Sequence, residues 1–207
     1  AGSTSTSEPV GRVGAQTVAK VLGEVVEEDP TAPALLSGDT EIAFQDVDRR
    51  SSQLARLLIA RDIGPGDTVA VTLPRSVDAV VAAWAVQKAG AACLFAGDLP
   101  VDRIAAAGAA FVIGADPGIE SLRWLDPADT DTAAELAEAP GHPVSYADRA
   151  RPLGEDHPAF VVTTDDGIRT LTQTEALDRA ERLCDEHGID YESATFTIAR
   201  SGWAAVD

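Results

Sequence analysis

The chain has 207 residues, with 34 Asp and Glu against 16 Lys and Arg, a formal net charge of −18. So acidic a surface argues against nucleic acid and anionic membranes as partners, since both are polyanions. No apolar run is long enough to cross a bilayer, and the opening AGSTSTSEPVGRVG is small and polar, unlike a signal peptide.

Residues 1–14 have no hydrophobic periodicity and are expected to be a disordered linker or tag. From Gln16 the pattern turns helical: Val18, Val21, Leu22 and Val25 fall at i, i+3, i+4 and i+7, until Asp29-Pro30 stops them. PALLSGDTEIAF predicts a hairpin about Ser37-Gly38-Asp39. Phe44, Val47, Leu54, Leu57 and Leu58 mark one face of a long helix that ends at Gly64-Pro65-Gly66. Thr68 to Leu73 is a strand apolar enough to be buried on both faces. Ser76 can cap a helix from Val77 to Lys88, closed by Gly90. A second strand (AACLF), a short helix (PVDRIAAAGA) and a third strand (AFVIGA) come next. This alternation predicts an α/β fold, a mostly parallel sheet with helical crossovers.

Residues 115–156 read as an irregular connector, with a short strand in SLRWLD and a weak helix from Asp131 to Glu138. PAFVVTT restores a strand. A tight turn then leads to a helix start, where Thr172 and Glu175 have capping-box spacing. Leu177, Ala180 and Leu183 mark that helix's apolar positions and Gly188 its end; ATFTIA is expected as a last strand. Residues 15–207 thus read as one domain, and the early end after a buried-looking strand suggests that it is truncated.

Few residues carry chemistry. Cys93 and Cys184 lie apart, each in a predicted element, and are expected to be buried free thiols suited to a reducing, cytoplasmic setting. His142, His157 and His187 lack metal-ligand spacing; His187 fits the last turn of a helix, where a cation is favoured. No dinucleotide fingerprint, Walker loop or nucleophile elbow is present. The acidic pairs Asp129 with Asp131 and Glu155 with Asp156 read as solvated surface. Neither a cofactor nor a metal is expected.

The stretch TEIAFQDVDRRSSQLARLLIARDIGPGDTVAVTLPRSVDAVVAAWAVQKAGAACLF resembles the N-terminal part of adenylation domains of nonribosomal peptide synthetases, in the acyl-adenylate-forming family. IAFQDVD looks like the family's first core motif, L-T-Y-x-E-L, and VQKAGAACL like its second, L-K-A-G-x-A-Y-L. The order is right, and the wording between them, GPGDTVAV and LPRS, is similar too. These motifs build the scaffold. The resemblance implies activation of a carboxylic acid by ATP, then transfer to a carrier protein's phosphopantetheine thiol, in secondary-metabolite or antibiotic biosynthesis.

The implied phosphate loop, approximately T-S-G-S-T-G-x-P-K-G, should come after a strand such as AYVIY. AFVVT, Ala159 to Thr163, looks like that strand, but TDDGIRT stands where the loop belongs. Of the degenerate position Thr163, Thr164, Asp165, Asp166 and Gly167, only Thr163 or Thr164 and Gly167 resemble the family's loop residues. No Lys comes after it, and Arg169 is the nearby cation. A carboxylate about 5 Å from a phosphate costs roughly 3 kcal/mol at an effective dielectric near 20. Magnesium bridging by the two aspartates is the functional alternative. The family's acid pocket, its nucleotide contacts and the Lys that meets the forming adenylate lie later in its chain; Ser201 and Trp203 weakly echo its F-D-x-S motif.

Three readings fit the sequence. The first is a non-catalytic, truncated adenylation-like domain. It would be a scaffold or docking platform for the neighbouring carrier protein or condensation domain, with the amino acid loaded in trans by another adenylation enzyme. The second is one piece of a split or cut adenylating enzyme whose partner supplies the rest. The third is a docking or regulatory module that pairs through an uncovered sheet edge or helix face.

Overall fold

The computed structural model describes residues 16–164 and 167–188. The expected linker, the ATFTIA strand, and Asp165, Asp166, Ser201 and Trp203 lie outside the described residues.

Helix α1 (Val18–Glu28) starts at Thr17, whose hydroxyl accepts the Lys20 N–H; of its expected stripe Leu22 is buried and Val18, Val21 and Val25 are half-buried, and Ala19 is buried beside them. Strands β1 (Pro33–Ser37) and β2 (Thr40–Ala43) form the expected antiparallel hairpin. Helix α2 (Phe44–Ala60) buries Val47, Leu54, Leu57 and Leu58, as its spacing predicts.

The central sheet has six strands. In chain order they are β3 (Thr68–Val71), β4 (Ala92–Phe95), β5 (Ala109–Ile113), β6 (Arg123–Leu125), β7 (Pro158–Thr164) and β8 (Gly167–Thr172). Their spatial order is β6-β5-β3-β4-β7-β8, with every pairing parallel except β7 with β8. Strands β3, β4 and β5 are continuous apolar runs because helices cover both faces.

Helix α3 (Val77–Ala89) is apolar nearly all round and buries nine residues, because it lies between α2 and the sheet. Its alanines, Ala79, Ala82, Ala85 and Ala89, let both neighbours approach closely. Ser76 Oγ accepts the Ala79 N–H at 3.3 Å, and beyond Gly90 the Ala91 N–H returns to Val86 O at 3.1 Å. Helix α4 (Val101–Ala106) packs with Ile104 on the opposite face, beside Leu94, Val112 and Leu122.

The connector contains β6, helix α5 (Thr130–Glu138) and a 3-10 turn at Tyr146–Asp148. The chain just beyond α5 is held by side chains rather than by a backbone ladder. Gln53 Nε2 donates to Ala139 O at 3.1 Å. Arg56 donates to the carbonyls of Pro140, His142 and Pro143 at 3.2, 2.7 and 3.2 Å. These bonds satisfy carbonyls that regular structure would otherwise pair. Asp129 also departs from a merely solvated role: its carboxylate accepts the N–H groups of Asp131 and Thr132 and caps α5.

The largest departure lies after β7. The sequence reading passes from strand through turn to helix, whereas the structure inserts β8 before helix α6 (Gln173–His187). The reason is local: GIRTLT carries Ile and Thr at alternate positions, and all six residues lie along β7. The expected capping box is present, with Thr172 Oγ1 accepting the Glu175 N–H at 3.2 Å and Glu175 Oε2 the Thr172 N–H at 2.9 Å. The expected apolar face of α6 is not: Leu177 and Leu183 are half-buried, Ala180 is exposed, and the helix buries Gln173 and Ala176.

Candidate functional site

Strand β7 lies between β4 and β8, with Cys93 opposite Phe160 and Leu94 opposite Val161. The Phe95 and Phe160 rings stack at 6.3 Å. Beyond Val161, β7 continues beside β8 after its pairing with β4 has ended. Thr163, Thr164 and Gly167 are thereby carried to the carboxyl end of the parallel strands, where open α/β sheets place their ligands.

The geometry there is a closed hairpin. Val162 faces Arg169, Thr163 faces Ile168 and Thr164 faces Gly167, so two residues join the strands. Thr164 Oγ1 donates to Gly167 O at 3.2 Å. Gly167 has φ 137, and a Cβ there would meet nothing within 4 Å. A phosphate cradle needs a run of backbone N–H groups converging on one point, which a loop or a helix start supplies. Here Thr164 and Gly167 pair within an antiparallel ladder. Arg169, the cation nearest in sequence, is exposed on β8.

A second polar cluster escaped the sequence reading. Lys88, within the VQKAG motif, is buried, and its Nζ donates to Asp48 Oδ1 at 2.6 Å, Asp48 O at 2.8 Å and Ser52 Oγ at 2.9 Å. All three ammonium protons are used. Burial pulls the Lys88 pKa down, and the hydrogen bond and charge of Asp48 oppose that. Asp48 belongs to the IAFQDVD stretch, so the two motifs meet as a buried ion pair between α2 and α3. Gln87, beside it, donates to Ala159 O at 2.6 Å and accepts from Gln173 Nε2 at 3.4 Å; Gln173 Oε1 accepts the Val18 N–H at 2.9 Å. The paired signal was an Asp and a Lys inside two apolar helical stretches.

The other candidates separate. Cys93 is buried, which pushes its thiol pKa up, but Cys184 is exposed, contrary to expectation, because the later turns of α6 meet little of the fold. His187 lies in the last turn of α6. His157 Nδ1 accepts the Gly154 N–H at 3.0 Å, and His142 Nδ1 lies 2.8 Å from Arg56 Nη2. Among the described residues no three His, Cys, Asp or Glu side chains converge to hold a metal ion, and no helix is long and apolar enough to cross a membrane.

Comparison with known proteins defines the class. The family model of AMP-binding enzymes matches residues 22–164, more than half the chain. The chain belongs to that family. A dimodular nonribosomal peptide synthase of Bacillus subtilis is 33% identical over 146 residues, covering 65% of this chain and 6% of that protein. The crystal structure of the nonribosomal peptide synthetase FmoA3 superposes with a TM-score of 0.69 at 20% identity, over 89% of this chain and 20% of that one. NpsA-ThdA, an artificially fused adenylation–PCP di-domain from Klebsiella oxytoca, gives 0.63 at 18% identity, over 77% and 30%. The fold is therefore that of the N-terminal part of a synthetase adenylation domain, and the chain spans a small share of each relative. The family match ends at Thr164, the last residue of β7 and the point where the hairpin turns back.

Proposed function

We propose that this is an adenylation-like domain that does not itself activate an amino acid. Its part in a nonribosomal peptide synthetase is structural, a platform for the adjoining carrier protein or condensation domain. Another adenylation enzyme loads the carrier in trans. The observation that carries this reading is the hairpin: two residues join β7 to β8 where the family's phosphate loop is expected. Both of those residues are Asp, no Lys comes after them, and Arg169 is the nearby cation. The solved adenylation–PCP fusion supports the choice of a carrier protein as neighbour.

Amino-acid-dependent ATP–pyrophosphate exchange tests it, run on the native protein with each common amino acid and with titration calorimetry of magnesium ATP. No exchange and no heat of binding are expected. Exchange with any amino acid overturns the reading. The split-enzyme alternative draws on the modest share of solved adenylation chains that this chain spans. Exchange that emerges on adding a second polypeptide with the later motifs would establish it. The scaffold role is tested separately by deleting residues 16–188 from the synthetase. Loss of product while the carrier is still loaded in trans is expected; unchanged product sinks the role.

A further inference from the structure

Helix α1 is held to the rest of the fold more lightly than α2 or α3. It buries Ala19 and Leu22, whereas α2 buries eight residues and α3 nine. Val18, Val21, Val25 and Val26 are half-buried. Its ion pair, Lys20 with Glu24, is internal. Among the described residues a single hydrogen bond joins α1 to the other elements: the Val18 N–H donates to Gln173 Oε1 at 2.9 Å.

That bond is anchored at its far end. Gln173 is fully buried at the first position of α6, and its own N–H donates to His157 O at 2.9 Å. Its Nε2 donates to Gln87 Oε1 at 3.4 Å, and Gln87 Nε2 donates in turn to Ala159 O at 2.6 Å. The Val18 N–H is one of those that a helix start leaves without an intrahelical partner. Here the partner comes from the start of another helix, 155 residues along the chain. At its other end α1 runs into Asp29-Pro30. The chain just beyond is fixed to the start of α2, where the Phe44 and Gln45 N–H groups donate to Ala32 O and Pro30 O. Asp48 and Lys88 line the same groove as Ala19, Gly23 and Glu27 of α1. The helix has little to keep it folded once undocked. It has 11 residues, too few for a stable isolated helix, with four valines among them and Gly23 in its interior.

We propose that α1 is a hinged cover, latched by Gln173, that opens as a unit about Asp29-Pro30 and uncovers the Lys88–Asp48 pair while the sheet stays intact. Undocking loses one hydrogen bond, the burial of Ala19 and Leu22 and part of the burial of four valines. It returns the backbone freedom of the whole helix, which offsets much of that loss. Opening the sheet instead would expose the core that β3, β4, β5 and α3 share. Lightly packed elements open at lower free energy than the core they rest on. By linkage, whatever steadies the start of α6 also holds α1 shut, so the latch couples the first described helix to the last.

Lys20 and Lys88 are the chain's only lysines, so amine labelling reads the cover directly. The native 207-residue protein is acetylated with sulfo-N-hydroxysuccinimide acetate and, separately, alkylated with iodoacetamide. Mass spectrometry gives each residue's rate, and its rate in the urea-unfolded chain gives its protection. Lys20 is exposed and should show almost none. Lys88 should be protected, yet at least about tenfold less than Cys93, which reports opening of the sheet. Gln173→Ala should raise the Lys88 rate about tenfold, the loss of one hydrogen bond, with Cys93 unchanged. Gly23→Ala, where a Cβ meets nothing within 4 Å, should slow Lys88 about three- to fivefold by making α1 a better helix. Equal protection of Lys88 and Cys93 overturns the cover, since α1 then leaves only as the whole fold opens. A Lys88 as reactive as Lys20 overturns it as well. If Gln173→Ala speeds Lys88 and Cys93 by the same factor, Gln173 is not the latch. A Lys88 rate unchanged by Gly23→Ala rules out undocking of α1 as the event that exposes Lys88.

Discussion

The half of the sheet around β3, β4 and α3 and the half that ends in β7, β8 and α6 are under different constraints. In the first, strands are buried on both faces and α3 buries nine of its residues. In the second, β8 exposes Gly167 to Thr170, and α6 buries Gln173 and Ala176. The long motif-bearing stretch lies wholly in the first half, and the family match stops inside the second. The difference has a physical cause. A scaffold motif is held by its neighbours whether or not a ligand binds, because a changed core residue costs stability at once. Exposed positions at the edge of the sheet have few neighbours, so changes there cost the core little.

The contrast can be broken most sharply with the thiols. Cys184 on α6 should be alkylated in the native protein like a free thiol, and Cys93 on β4 only through unfolding, at least about a thousandfold more slowly at ordinary stabilities. Mass spectrometry after timed labelling checks this, and comparable rates would remove the distinction between the halves. Next in size is the buried pair. Lys88→Ala should destabilise by about 3–5 kcal/mol in urea unfolding, since it strands the Asp48 carboxylate. Lys88→Met combined with Asp48→Leu should recover much of that.

Two glycines sharpen the comparison further. Gly114 has φ 143, and a Cβ there would lie 2.1 Å from Thr72 Oγ1; Gly167 has φ 137 and open space. Alanine should cost about 3 kcal/mol or more at Gly114, where strain and clash combine, and about 1–2 kcal/mol at Gly167, where strain acts alone. Equal costs would show that the two ends of the sheet are equally tight. The smallest effect concerns Asp148. The Ser145 N–H, donating to its carboxylate at 2.7 Å, holds its pKa below the usual value, helped by the Ser145 side chain. A depressed carboxylate pKa stabilises the fold above the ordinary carboxylate range, and that contribution is lost as pH falls through the folded-state value. Asp148 is exposed, so Asp148→Asn should remove about half a kcal/mol at neutral pH and flatten the acid side of the stability profile.

Most of the fold was legible because its signals are local and repeated. Val18, Val21, Leu22 and Val25 define α1, Ser76 and Gly90 bracket α3, and Thr172 with Glu175 starts α6 where the spacing predicts. Strand β8 was not legible, since GIRTLT is short and half polar and becomes a strand by pairing with β7. The roles of Lys88 and Arg56 were not readable either. Each reaches residues far along the chain, Asp48 in one case and the connector carbonyls in the other, and charged helical residues ordinarily face water.

The sequence by itself determined the alternation of strands and helices and the α/β class, because these depend on residue type and spacing. Only the tertiary structure decided that β7 turns back into an antiparallel ladder with β8 and that two scaffold motifs close on one buried ion pair. Each of those depends on which distant residues the sheet and its crossovers bring within a few ångströms of one another.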